Sequence, residues 1–150
     1  MDEYGIGMTD EEIGAFLERQ GHGVLSFAGE DPYGLPVSFG YDTLQNRCIF
    51  QLVMGKDSQK KARLDESDSV NLVVYEWQDV DDWRSVIVTG RLTPVEDVTS
   101  EITEAVEVFS KFATVTTLTV FRDVEETTSV WYELDIEEMA GRQSSSIERA

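Results

Sequence analysis

The sequence predicts a mainly β protein: an antiparallel barrel with helices at its periphery. Three observations carry this. Six or seven segments show strand-length alternation or β-branched runs, against two or three with helical spacing. The connections between the strand segments are too short for repeated βαβ crossovers, so neighbouring strands must run antiparallel. The chain has 150 residues, 41% of them hydrophobic, with 3 Trp, 5 Tyr and 7 Phe. That is one domain's worth of chain with enough apolar side chains for a core, and closing the sheet removes its edges.

The first element is a helix over Asp10 to Gln20. Thr9 and Glu12 have capping-box spacing, Asp10 and Glu11 suit the positive end of the helix dipole, and Gly21 ends it. Ile13, Phe16 and Leu17 form its apolar face. A strand follows over Gly23 to Ala28, then a turn over Gly29 to Gly34. Leu35 to Tyr41 is the next strand. Leu35, Val37, Phe39 and Tyr41 fall on one bulky face, and Pro36, Ser38 and Gly40 on the other. The stripped face leaves room for a flat ligand against the backbone; it equally fits an edge strand, where the missing N–H of Pro36 costs nothing.

Arg47 to Val53 reads as a nearly continuous apolar strand, followed by a short helix over Ser58 to Leu64. Ser69 to Trp77 is a strand, Gln78 to Asp82 an acidic loop, and Arg84 to Leu92 a strand. Thr99 to Phe112 has helical spacing, Ala113 to Phe121 is rich in β-branched residues, and Ser129 to Glu138 is the final strand. Residues 1–140 therefore form one domain, and Gly141 to Ala150 reads as a disordered tail.

The net charge is −18, from 30 Asp plus Glu against 12 Lys plus Arg. A general nucleic-acid surface or an anionic membrane would need cations this chain lacks. One cysteine, Cys48, excludes an internal disulfide, and with one histidine, His22, the usual zinc clusters are excluded as well. No apolar run reaches membrane-span length, and the acidic N-terminus lacks signal-peptide character, so the cytoplasm is the expected compartment. Such an acidic surface repels itself in ordinary buffer, whereas molar salt shortens the Debye length to about 3 Å. Scarce lysine beside abundant acid points to a halophilic cytoplasm.

Lys56, Lys60, Lys61 and Arg63 cluster around the start of the short helix, where Asp57 or Ser58 can cap it. Free N–H groups, a positive dipole end and neighbouring lysines suit a phosphate. The same cations also suit a solvated helix face paired with Asp65, Glu66 and Asp68. The segment is not a P-loop: Asp57 follows Gly55-Lys56 where Ser or Thr is required. His22 reads as structural or solvent-exposed, and Cys48 as a small core hydrophobe. Ser85 is either a ligand hydrogen-bonder or a plain strand serine. Trp131 and Tyr132 read as packing residues, and Asp79, Asp81 and Asp82 as a solvated loop.

In order, these stretches resemble the pyridoxamine 5′-phosphate oxidase-like family of FMN-binding split β-barrels, in its nitroimidazole-resistance-like branch. The resemblance is carried by the opening helix from Met8, Asp31-Pro32-Tyr33-Gly34-Leu35-Pro36-Val37-Ser38-Phe39-Gly40-Tyr41-Asp42, Ser58-Gln59-Lys60 with Leu64 and Val70, and Trp83-Arg84-Ser85-Val86-Ile87-Val88-Thr89-Gly90. It covers residues 8–97 and, with the charge, implies a haloarchaeal member. It implies FMN as cofactor and a homodimer with flavin at the subunit interface. Pro36, Val37, Ser38 and Phe39 would lie along the flavin ring. The phosphate motif falls on Ser58, Gln59 and Lys60; with Gln59 in place of the usual arginine, binding would rest on Lys60 and Lys61. Ser85 falls where larger relatives carry a flavin-contacting glutamine, and Gln51 where the branch carries a histidine. The true oxidase's substrate-binding arginine and histidine have no match, since Arg122 and Arg142 stand in another context. The implied function is an FMN-dependent oxidoreductase. The alternatives are a non-catalytic flavin-binding or redox-sensing module, and the same fold binding a deazaflavin or haem.

Overall fold

The computed structural model describes residues 5–29, 33–55, 67–95 and 127–145. The described elements are β1 (Ile6–Gly7), α1 (Asp10–Gln20), β2 (His22–Phe27), β3 (Tyr33–Ser38), β4 (Gly40–Asp42), β5 (Arg47–Gly55), β6 (Ser69–Asp79), β7 (Asp82–Pro94) and β8 (Thr127–Gln143). The short helix over 58–64, the helix over 99–112 and the strand over 113–121 that the sequence predicts lie outside the described residues.

All eight strands join one antiparallel sheet in the order β3-β2-β6-β7-β8-β5-β4, with β1 added beside β8. The two ends of that order, β3 and β4, are consecutive in the chain and separated by Phe39 alone. The sheet therefore curls back on itself, which makes it a split barrel. The sequence reads Leu35 to Tyr41 as one strand; the structure breaks it at Phe39 because the chain changes partner there. Before the break it pairs with β2, after it with β5. The Phe39 N–H donates to Gly21 O at 3.0 Å, and its ring is fully buried near Phe50, with centroids 6.3 Å apart.

Inward residues of every long strand make the core: Leu25, Leu35, Val37, Phe50, Leu72, Val74, Val86, Val88 and Leu134 are all buried. Cys48 is among them, and burial pushes its thiol pKa far above the ordinary value. Helix α1 closes one end of the barrel with Ile13, Phe16 and Leu17. Its capping box is formed as the sequence predicts: Glu12 N–H donates to Thr9 Oγ1, and Thr9 N–H to Glu12 Oε1. Gly21 ends it in the left-handed region at φ 69°, where a side chain would be strained.

Two ion networks fix the periphery. Arg47 is buried, with Nε donating to Asp42 Oδ2 at 3.1 Å and Nη1 to Glu133 Oε2 at 2.8 Å. Burial opposes its charge, but the two carboxylates outweigh that and raise its pKa. Glu76 on β6 accepts from Arg19 of α1 and Arg84 of β7, tying the helix to the β6–β7 hairpin.

Several boundaries differ from the sequence reading: β1 is an added strand, and β3 starts at Tyr33, inside the turn read over Gly29 to Gly34. The acidic loop shrinks to a turn at Val80-Asp81, with Asp79 Oδ1 accepting the Asp81 N–H. The last strand starts earlier and runs on through Gly141, Arg142 and Gln143, which the sequence assigns to a disordered tail. Distant partners order them: Met8 N–H donates to Gly141 O, Gln143 Nε2 to Glu12 Oε2, and Ser144 N–H to Trp83 O.

Candidate functional site

Strand alternation sorts the sequence-predicted residues into two groups. With Leu25, Leu35, Val74 and Val86 pointing into the core, the outward positions of β2, β3, β6 and β7 share one outer face. The register carries a row of apolar residues straight across four strands: Pro36, Val24, Val73 and Ile87. Beside it in the register stand Ser38, itself buried, opposite His22, and Tyr75 opposite Ser85. Pro36 and Ser85 thus lie on one surface, three strand spacings or about 14 Å apart across the sheet. Val37 and Phe39 point the other way and are buried in the core, so only their backbone reaches the outer face. Ser58, Gln59, Lys60 and Lys61 lie outside the described residues.

Pro36 occupies a position where its missing N–H costs no ladder bond. The bond from Phe39 N–H to Gly21 O marks His22–Ser38 as a non-hydrogen-bonded pair, and Val24–Pro36, two residues along, is therefore another. Among the described residues β3 pairs only with β2, so the edge-strand reading of Pro36 and the small-face reading describe one arrangement.

The charge distribution on this face is its most informative property. Acidic residues are one in five of the whole chain. The outer face takes three residues from β2, three from β3, five from β6 between Ser69 and Trp77, and five from β7 between Trp83 and Arg91. None is Asp, Glu or Lys, and the one charged residue among them is Arg91, opposite Ser69 at the end of the face. Tyr75 and Trp77 are each 59% exposed there and Ile87 46%. Acid returns at the border with β8, where Glu138 stands opposite Thr89 and Asp135 opposite Arg91. An acid-free, partly apolar surface on a protein of net charge −18 is what a surface destined to be covered looks like. It is also the surface a flat ring system needs.

Sequence reasoning set aside two residues that the register brings here. Arg142 pairs with Ser85 on the outer side of β8, and its Nη2 donates to Gly5 O at 2.8 Å. His22 lies opposite Ser38. The signal for both is pairing across the sheet, which no local window contains. Among the described residues no group of three His, Cys, Asp or Glu side chains could hold a metal ion. No helix among them is long and apolar enough to cross a membrane.

The curled antiparallel sheet with a helix at one end and a bare outer face defines the class: a split β-barrel. Residues 9–143 match the family model for pyridoxamine 5′-phosphate oxidase, and the chain belongs to that family. Solved structures agree on the fold. A FAD-binding protein from Mesorhizobium loti is 21% identical, with a TM-score of 0.75 over 93% of this chain and 98% of its own. A protein named as a candidate for 5-nitroimidazole antibiotic resistance, from Bacteroides thetaiotaomicron, is 14% identical with a TM-score of 0.67, over 92% of this chain and 86% of its own. A FAD- and haem-binding protein from Mycobacterium smegmatis is 14% identical with a TM-score of 0.64, over 91% of this chain and 71% of its own. No curated protein matches the sequence.

Proposed function

We propose that this protein binds FMN on the outer face beside Pro36–Phe39, and that a second copy of the chain covers the rest of that face. The carrying observation is the absence of acidic residues from the outward positions of β2, β3, β6 and β7 in so acidic a chain. Two copies of a −18 protein can meet there without setting carboxylates against each other. A flat ring can lie on the row Pro36, Val24, Val73 and Ile87 without desolvating a charge.

Lys60 and Lys61, with Ser58 and Gln59, would hold the phosphate, and Ser85 would hydrogen-bond from β7. The flavin, when bound, supplies two-electron redox chemistry; the protein binds, orients and excludes water. The activity proposed is that of an oxidoreductase in the cytoplasm of a halophile. Sedimentation and flavin-fluorescence titration of the purified chain test the reading together. A dimer that takes up FMN is expected. A monomer, or a chain indifferent to added FMN, overturns it. Bleaching of the bound flavin by NAD(P)H would distinguish an enzyme from a passive binder.

A further inference from the structure

We propose that His22 is a binding residue of the flavin site, its Nε2 hydrogen-bonding the edge of a ring laid along Pro36–Ser38. This rests on the flavin reading above. His22 is the chain's one histidine and opens β2 directly opposite Ser38. Their pair is non-hydrogen-bonded, and in such pairs the Cα atoms approach to about 4.5 Å with the side chains close. With Leu25 and Phe27 in the core, alternation puts the imidazole on the outer face, where it is exposed.

The ring is also oriented. His22 Nδ1 lies 3.1 Å from Gln20 O. A carbonyl only accepts, so Nδ1 carries the proton and Nε2 is the polar atom turned to other partners. Gln20 is itself held, its Nε2 donating to Tyr75 O at 3.1 Å. The imidazole is thus set by the junction of α1 with β6.

With Nδ1 carrying the proton, Nε2 accepts a hydrogen bond. The edge of a flavin ring carries an N–H between two carbonyl groups, and that N–H is the donor Nε2 would take. β3 contributes the uncharged Ser38 beside it, and Glu76 lies on the opposite face of β6, engaged by Arg19 and Arg84.

The experiment is an FMN titration by fluorescence at one pH with wild type, His22→Asn and His22→Gln. The expected ratio of variant to wild-type Kd is about two- to tenfold. A ratio that stays at one overturns the inference and leaves the flavin reading standing. If wild type takes up no FMN, both fall. Should the variants fail to fold, the single histidine signal in proton NMR decides. A displacement of its ring-proton resonances on adding FMN supports the inference, and unmoved resonances refute it.

Discussion

Replacing Glu76 with Gln should loosen the junction that sets the candidate site, and the cost can be worked from the geometry. Glu76 accepts from Arg84 Nη1 at 2.7 Å and from Arg19 at 2.9 and 3.2 Å. The Arg84 arm is mostly buried on both sides, with side chains 23% and 19% exposed. Hydrogen bonds to charged groups in such settings contribute about 1.5–3 kcal/mol. Arg19 is 52% exposed, so solvent screening reduces that arm to about 0.2–1 kcal/mol. The amide keeps the shape of the side chain but loses the negative charge and the Oε2 acceptor, so the loss should be about 2–3 kcal/mol. For a chain of this size that is a fall in Tm of about 4–12 °C. The Arg19 hydrogen bond, then the charges of Arg19 and Arg84, hold the Glu76 carboxyl below its usual 4.5 despite burial. A lowered carboxylate pKa contributes stability that is present above the unfolded value and lost as pH falls through the folded one. Thermal melts by circular dichroism should therefore show a wide gap between wild type and E76Q at neutral pH, closing below about pH 4.5. A gap under about 1 °C at neutral pH, or one indifferent to acid, would refute the reasoning.

Lys60→Ala should weaken FMN binding by about 1.5–3 kcal/mol in the same fluorescence titration; unchanged affinity would move the phosphate elsewhere. Gly90→Ala should cost at least about 3 kcal/mol in urea unfolding, because a Cβ there would overlap the backbone carbonyl of Asp135 at the β7–β8 bulge. A midpoint equal to wild type would mean that the bulge relaxes freely. Melts in rising potassium chloride should show Tm climbing from low to molar salt as the 18 excess negative charges are screened. A flat profile would remove the halophile reading.

Local chemistry explains what the sequence disclosed about the fold. Thr9, Glu12 and Gly21 act within four residues of the atoms they satisfy, so the helix ends can be read without knowing what the helix packs against. The alternation of bulky and small residues from Leu35 to Tyr41 cannot show that the chain changes partner at Phe39, because it continues through the switch in the sequence while Val37 to Asp42 are all buried in the structure. The tail failed for the opposite reason. Gly141, Arg142 and Gln143 look like a polar end. They form strand because Met8, Glu12 and Trp83, far away in sequence, bring hydrogen bonds to that stretch.

The candidate site divides along the same line. Pro36 and Ser38 stand out within one strand, as a small-residue face. The acid-free surface around them does not exist in any one segment: β2, β3, β6 and β7 each contribute a few outward residues, and acids occupy the intervening inward or loop positions at Glu76, Asp79 and Asp82. Only pairing removes the acids from one side. His22 is the sharpest instance. In the sequence it is a lone histidine beside a glycine, with nothing to mark it. Gly21 turns the chain so that Gln20 O meets Nδ1, and the β2–β3 register then sets the ring against Ser38. The first of these contacts is local and the second is not. A histidine becomes a candidate ligand only when both hold, since either alone describes an ordinary surface imidazole.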